Sequence, residues 1–500
     1  MRRVLPIVLL LATLVVPSAA NALTPGQLRD LGAGPCPNID SAFRCLSVRV
    51  PLDHFDPANP AQIDVVVGVH PAAAAHSKGL LVTAVGGPGA SGLSDADTFL
   101  KSWSPAIVAN YDVVYFDQRG IAASSGIYCP SAVLAARRAE GTAGYDLTAS
   151  SRRFARRCAT ELDAPTLLPY LGTRQAAEDL EVIRQTLAGE KIALYGTSYG
   201  TQLAAAYARQ HPEGLSALML DGVVDTSLSS PAFWASAARG FESVLNETFA
   251  ICARRAACRR AMPQGASTVY DRLDARLARG PIRVAGGTGL LTQAMLHTYL
   301  GSSLYWPDSR ATILRDLANV ARGDYSSLVE GAWIAEGVDP TTWQLFRTGI
   351  SYASYFGVQC SDSPSYVGTP AARAAQWNAA GAEVGRQLPR IGESIFLNDL
   401  SCAWWPNPPA LAAPPTPLVL PGVPTIVLTA TGDPITPHTQ GEAVFRSLAD
   451  GHLIRTLGGG HVTLSRSSPC SYAPVERLLL RGTLPTAKQT VCRAPFVTSF

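Results

Sequence analysis

Short runs of β-branched and apolar residues, separated by stretches with a helical period, give this chain its first structural signal. Residues 45–50 and 63–69 alternate or carry β-branched side chains, and predict two early strands. Residues 79–85 (GLLVTAV) form an unbroken apolar run ending in a glycine-rich turn, and 111–116 (YDVVYF) form another ending at Asp117. Unbroken runs of this kind mark strands buried on both faces. From 173 to 187 the period changes: Ala177, Leu180, Ile183 and Leu187 recur at spacings of three and four, as on one face of a helix. A strand over 191–195, a helix over 201–209 and a strand over 215–220 follow. This alternation predicts a mostly parallel sheet with helices on both faces, an α/β fold.

The alternation stops near 226 and resumes at 425–429 (TIVLT), with a shorter strand near 452–456. The segment between lacks strand–helix repeats and reads as mainly helical. It ends in a Pro-rich connector over 406–424, expected to be extended and stiff. Seven of the eight tryptophans lie in this segment: Trp234, Trp306, Trp333, Trp343, Trp377, Trp404 and Trp405. Such side chains fill a core or line an aromatic pocket. The expected organisation is a core built from 23–225 and 421–500, with a cap inserted over 226–420.

Residues 1–22 change the picture. Arg2 and Arg3 precede an apolar run from Val4 to Val16, and Ala20-Asn21-Ala22 has the A-x-A form of a cleavage site. These are the parts of a secretory signal peptide, cut after Ala22. The run is too short to span a bilayer. A soluble, secreted or periplasmic protein is expected, with no stable membrane insertion.

The cysteines fit that compartment. There are ten: Cys36, Cys45, Cys129, Cys158, Cys252, Cys258, Cys360, Cys402, Cys470 and Cys492. No C-x-x-C pair occurs, which weakens zinc-ribbon and redox readings. Sequence alone leaves connectivity open; the simplest pattern is local, 36–45, 129–158, 252–258, 360–402 and 470–492. Net charge is +3, or +1 once Arg2 and Arg3 are set aside, and no basic run occurs. Nucleic-acid binding gains no support from this balance.

The candidate chemistry sits at strand ends. Gly196-Thr197-Ser198-Tyr199-Gly200 follows a predicted strand and precedes a predicted helix. This is G-x-S-x-G in the context of a nucleophile elbow, where glycines permit a sharp turn and expose the serine hydroxyl. A serine needs a base, and the base needs an orienting acid. In this architecture the order is Ser, acid, His. Asp433 lies just past the strand 425–429, and His461 follows in Gly458-Gly459-Gly460-His461. Asp221, at another strand end, is the alternative acid. His438 is too close to Asp433 in sequence, and His452 begins a strand. His54, His70, His76, His211 and His297 precede Asp433 and break the order. Two amides are expected to hold an oxyanion: Tyr199, after the nucleophile, and Gly87, in the loop Gly86-Gly87-Pro88-Gly89-Ala90-Ser91-Gly92.

That loop also matches G-x-G-x-x-G, with Asp117 ending a later strand. A dinucleotide-binding oxidoreductase is therefore a competing class. It leaves Ser198, Asp433 and His461 without a joint explanation.

Together these segments resemble the α/β-hydrolase fold, and more narrowly the secreted tripeptidyl aminopeptidase family of serine peptidases related to proline iminopeptidase. The matching stretches are GGPGASG at 86–92, YDVVYFDQRG at 111–120, LYGTSYGTQLAAAYA at 194–208, LDGVVD at 220–225, TGDPITP at 431–437 and GGGHVTL at 458–464. The spacing of the ten cysteines is also similar. The resemblance implies release of short peptides from free N-termini, a cap formed by the insertion, and a C-terminal module beginning near Asp433. One departure stands out. Arg119-Gly120-Ile121-Ala122-Ala123-Ser124 carries Ala122 where such hydrolases place a second glycine.

The expected protein is thus a serine exopeptidase acting through Ser198, Asp433 and His461 on peptide substrates with a free N-terminus. No metal or cofactor is expected, and the protein is expected to be a monomer. The alternative is a carboxylesterase or lipase with the same triad. An exopeptidase must also hold the substrate's ammonium, and Glu242 and Glu247 are candidate carboxylates.

Overall fold

The computed structural model describes residues 22–37, 39, 42–187, 191–284, 289–346, 350–362, 366–406 and 416–499. The expected leader lies outside the described residues except for Ala22, as does 407–415 of the connector.

Ten strands form one sheet: β1 (Gly34–Pro35), β2 (Arg44–Pro51), β3 (Gln62–His70), β4 (Leu80–Ala84), β5 (Asp112–Phe116), β6 (Ile192–Thr197), β7 (Leu215–Asp221), β8 (Thr425–Ala430), β9 (Gly451–Leu457) and β10 (Gln489–Arg493). Their order is β1-β2-β3-β5-β4-β6-β7-β8-β9-β10. From β5 to β10 all pairings are parallel, whereas β1, β2 and β3 add on antiparallel at one edge. The central strands β4, β5 and β8 are buried along their whole length, as their apolar runs require.

Side chains alternate between two cores. On one face Leu80, Val82, Val114 and Leu194 pack against the helices α1 (Thr173–Leu187) and α2 (Tyr199–Gln210). On the other, Leu81, Val113, Ala193 and Tyr195 meet Trp103, just past the helix Ala96–Ser102, and Ile107 and Val475 from helices Pro105–Asn110 and Pro469–Arg481. The period-two geometry of strands dictates this division.

Between β7 and β8 the chain forms a largely helical layer with its own core, around Trp234, Phe241, Leu296, Leu314 and Trp377. It includes the 25-residue helix Ser230–Arg254, α3 (Pro307–Val320) and α4 (Tyr352–Asp362). A second helical excursion lies between β5 and β6. Its helices Pro130–Glu140 and Leu147–Glu161 share an apolar cluster with Phe356, Cys360 and Trp405. The layer over the sheet therefore draws on 130–170 as well as on 226–420, and the single-insertion boundaries do not capture this packing.

Five cysteine pairs lie at bonding distance: 36–45, 129–158, 252–258, 360–402 and 470–492. Each lies within the local pattern expected from sequence. Among the described residues, no helix is long and apolar enough to cross a membrane.

Candidate active site

Ser198 sits between β6 and α2 with φ 55° and ψ −127°. A non-glycine residue at positive φ is strained, and the surroundings over-determine it here. The Ser198 N–H donates to the Asp221 carbonyl at 2.9 Å. Gly200 lies so close to β4 that a Cβ there would stand 2.0 Å from the Ala84 carbonyl oxygen. A Cβ on Gly86 would stand 2.7 Å from the Ser198 Cβ. The glycine-rich loop is thus packed directly onto the serine. Because α2 begins at Tyr199, that residue's N–H has no acceptor within its own helix. Gly87, with φ 114°, joins Ser198 and Tyr199 in lining a cavity of about 1860 Å³.

Asp433 and His461 meet from the next two strand ends. His461 Nδ1 lies 2.9 Å from Asp433 Oδ2, and both side chains are buried. Asp433 Oδ1 accepts the Ile435 and Thr436 N–H groups at 3.1 and 3.0 Å. The Thr436 hydroxyl donates to Oδ2 at 2.8 Å. A carboxylate so supplied with donors is fixed in place, and it selects the imidazole tautomer with the proton on Nδ1, leaving Nε2 as the basic nitrogen.

Asp221, the alternative acid, has a different task. It is fully buried and accepts the N–H groups of Thr463, at 2.9 Å, and Leu464, at 2.8 Å, as well as the Tyr195 hydroxyl at 3.0 Å. Burial pushes its carboxyl above the ordinary range, opposed by those donors. Asp221 therefore anchors the loop carrying His461, while its own carbonyl anchors Ser198. Gly222 follows at φ 66°, and a Cβ there would lie 3.0 Å from His461 Cε1. Ser198 and His461 thus converge on the same strand end. Val462, a β-branched residue at φ 62°, is held between the His461 and Thr463 anchors.

The helical layer reaches this site from above. The His461 N–H donates to the Tyr305 carbonyl at 2.9 Å, and the two rings meet edge-on at 5.3 Å. Arg310, on α3, is wholly buried. Its guanidinium donates to the carbonyls of Gly432, Gly459 at 2.8 Å, Phe496 at 2.9 Å and Leu304 at 2.8 Å. Burial lowers its pKa to about 10, with nearby Asp433 opposing. One side chain thus ties the acid-bearing turn to the histidine-bearing loop. Nothing in the local sequence marked Arg310, because its partners Gly432 and Gly459 lie 122 and 149 residues away.

Other sequence-based candidates resolve differently. Asp117 accepts from the Ser91 hydroxyl at 2.5 Å, Leu93 N–H at 3.2 Å and Ala123 N–H at 3.0 Å. It fixes the glycine-rich loop, and a Cβ on Gly92 would strike the Phe116 carbonyl at 2.3 Å. These contacts account for Gly92 and for Asp117 without a nucleotide. Glu242 accepts the Ile391 N–H at 3.0 Å, and Glu247 is half-buried and paired with Arg254 at 2.7 Å. Neither carboxylate lines the main cavity. Of the seven tryptophans, Trp234 and Trp306 line it. The strand β10, which the sequence pattern does not predict, follows His461. Ala122 adopts φ 41°, so the departure from glycine falls where glycine is favoured.

Comparison with known proteins agrees with this architecture. A family model described as alpha/beta hydrolase fold matches residues 80–465. The chain is 28% identical over 477 residues to serine protease Hip1 of Mycobacterium tuberculosis, covering 91% of this chain and 88% of the relative. It is 29% identical over 465 residues to carboxylesterase B of the same organism, covering 88% and 85%. It is 26% identical over 486 residues to tripeptidyl aminopeptidase of Streptomyces lividans, covering 92% and 85%. With the family model spanning well over half of its length, from β4 to the loop beyond His461, this chain belongs to the alpha/beta hydrolase fold family.

Proposed function

We propose that this protein is an exported serine peptidase that removes short peptides, tripeptides foremost, from free N-termini. Ser198 attacks the scissile carbonyl. His461 takes its proton through Nε2 and returns it to the leaving amine. Asp433 holds the imidazole and stabilises its cation. The Tyr199 and Gly87 amides hold the oxyanion, and water then releases the acyl group. The observation carrying this reading is the convergence of the strained Ser198 elbow with the bonded Asp433–His461 pair beside a cavity large enough for a peptide. Relatives named serine protease and tripeptidyl aminopeptidase, aligned over most of the chain, support the peptidase class. Five cysteine pairs at bonding distance support export.

The test is digestion of a decapeptide, free or acetylated at its N-terminus, with products identified by mass. Stepwise loss of tripeptides from the free peptide alone is the expected result. Internal cleavage or equal digestion of both peptides contradicts it. The relative named carboxylesterase B supports a second reading, an esterase using the same triad. Rapid turnover of p-nitrophenyl esters with negligible amide cleavage would favour it.

A further inference from the structure

The exopeptidase reading leaves the substrate's ammonium without a partner, and one carboxylate in the cavity matches the need. Asp362 ends α4 and lines the same cavity as Ser198, Tyr199 and Gln202. It is half-buried, its open side being the cavity. Its carboxylate accepts the Thr173 N–H at 2.7 Å, the Thr173 hydroxyl, and the Gln202 side-chain amide at 2.9 Å. All three donors are neutral. Among the described residues, no arginine, lysine or histidine pairs with it. Burial pushes its carboxyl up to about 6, with those donors opposing.

The other carboxylates near the cavity differ. Glu140 faces Arg137 at 3.4 Å. Asp225 is engaged by Ser227 through its N–H at 2.9 Å and its hydroxyl at 2.6 Å. Glu393 is exposed, so solvent carries its charge. Asp399 lies behind the wall, closed off by Trp234 at 2.7 Å, Gln359 at 3.0 Å and Asn398 at 3.2 Å. Asp362 thus combines enclosure, cavity access and lack of a cation. It also stands at the C-terminal end of α4, where a helix favours positive charge.

We propose that Asp362 receives the N-terminal ammonium of the peptide substrate. The inference rests on the exopeptidase reading and gives it a ruler. Gln202, which holds Asp362, lies one turn of α2 beyond Ser198, about 6 Å along the axis. Its side chain and hydrogen bond extend that reach further. A single aminoacyl group spans about 3.5 Å and falls short, whereas two or three extended residues cover about 7–10 Å.

The test compares wild type with Asp362→Asn and Asp362→Glu on four substrates. These are trialanine p-nitroanilide, its N-acetyl form, dialanine p-nitroanilide, and p-nitrophenyl acetate, which carries no ammonium. In Asp362→Asn, KM for the free amide is expected to rise by about 30-fold or more. Acetate ester turnover should stay within about twofold, reporting an intact triad. Equal loss on amide and ester assigns Asp362 a structural role and overturns the site. Unchanged amide kinetics also overturn it. Should Asp362→Asn fail to fold, Asp362→Glu decides. Its longer arm is expected to shift preference from tripeptidyl toward dipeptidyl amides, and an unshifted preference rejects the proposal. Wild-type cleavage of free and acetylated amides at equal rates would instead remove the exopeptidase reading itself.

Discussion

The proposed nucleophile and its proposed acid–base pair are built in different ways. Ser198 is held by short-range devices: a strained turn between β6 and α2, glycines pressed against Ala84 and the serine itself, and one bond to Asp221. Asp433 and His461 are held largely from a distance. Arg310 and Tyr305 grip their loops from the helical layer, and Asp221 anchors Thr463 and Leu464 from β7. The serine half belongs to the sheet, whereas the base half depends on the layer above it. Changes in that layer should therefore alter proton transfer while leaving the elbow intact.

The largest expected effect abolishes both halves equally. Ser198→Ala and His461→Ala should each lower kcat by about 10⁶, and the double variant should fall no further, because members of a triad act as a unit. Initial rates on a chromogenic tripeptidyl amide check this. A substantially larger loss in the double variant would mean the two act independently.

The halves separate at the next level. Gly200→Ala places a Cβ 2.0 Å from the Ala84 carbonyl, so it should fail in folding and give insoluble or early-melting protein. Arg310→Met should fold but lower kcat by about 10–100-fold with little change in KM, the loss expected for charged hydrogen bonds that position a reacting group. Asp221→Asn should do the same through the 463–464 anchor. Purification yield, thermal melting and the split between kcat and KM distinguish these outcomes. An Arg310→Met enzyme with full kcat would undo the comparison.

Smaller effects sharpen it. Thr436→Val removes the hydroxyl on Asp433 and should reduce kcat about 10-fold, the lower end for one hydrogen bond to a charged carboxylate, while Thr436→Ser should restore it. Ala122→Gly relieves a backbone at φ 41° and should stabilise the fold by about 0.5 kcal/mol without changing kcat. The denaturation midpoint is the readout.

Much of this division was legible in the chain. The strands over 79–85 and 111–116 announced themselves because buried parallel strands have unbroken apolar runs, and those over 45–50 and 63–69, which pair antiparallel, because their residues alternate or are β-branched; the observed elements match within a residue or two. The helix α1 matched at both ends. Helix α2 began at Tyr199, two residues earlier than its apolar period suggested, because Gly200 weakens the helical signal while being required by its contact with Ala84. Strand β10 escaped notice because its residues Gln489, Thr490 and Arg493 are polar and largely face out. Ser198, Asp433 and His461 were legible because each lies at a motif or strand end. Arg310, Tyr305 and Asp362 were not. Their roles come from tertiary proximity, and a lone arginine or aspartate at a helix position carries no pattern until the layer has folded over the sheet.

The most direct measurement is kcat/KM for trialanine p-nitroanilide and its N-acetyl form, with purified mature enzyme and its Ser198→Ala variant side by side. The account expects rapid cleavage of the free amide, negligible cleavage of the acetylated one, and loss of both in Ser198→Ala. Equal rates on the two amides, or activity surviving without Ser198, would contradict it.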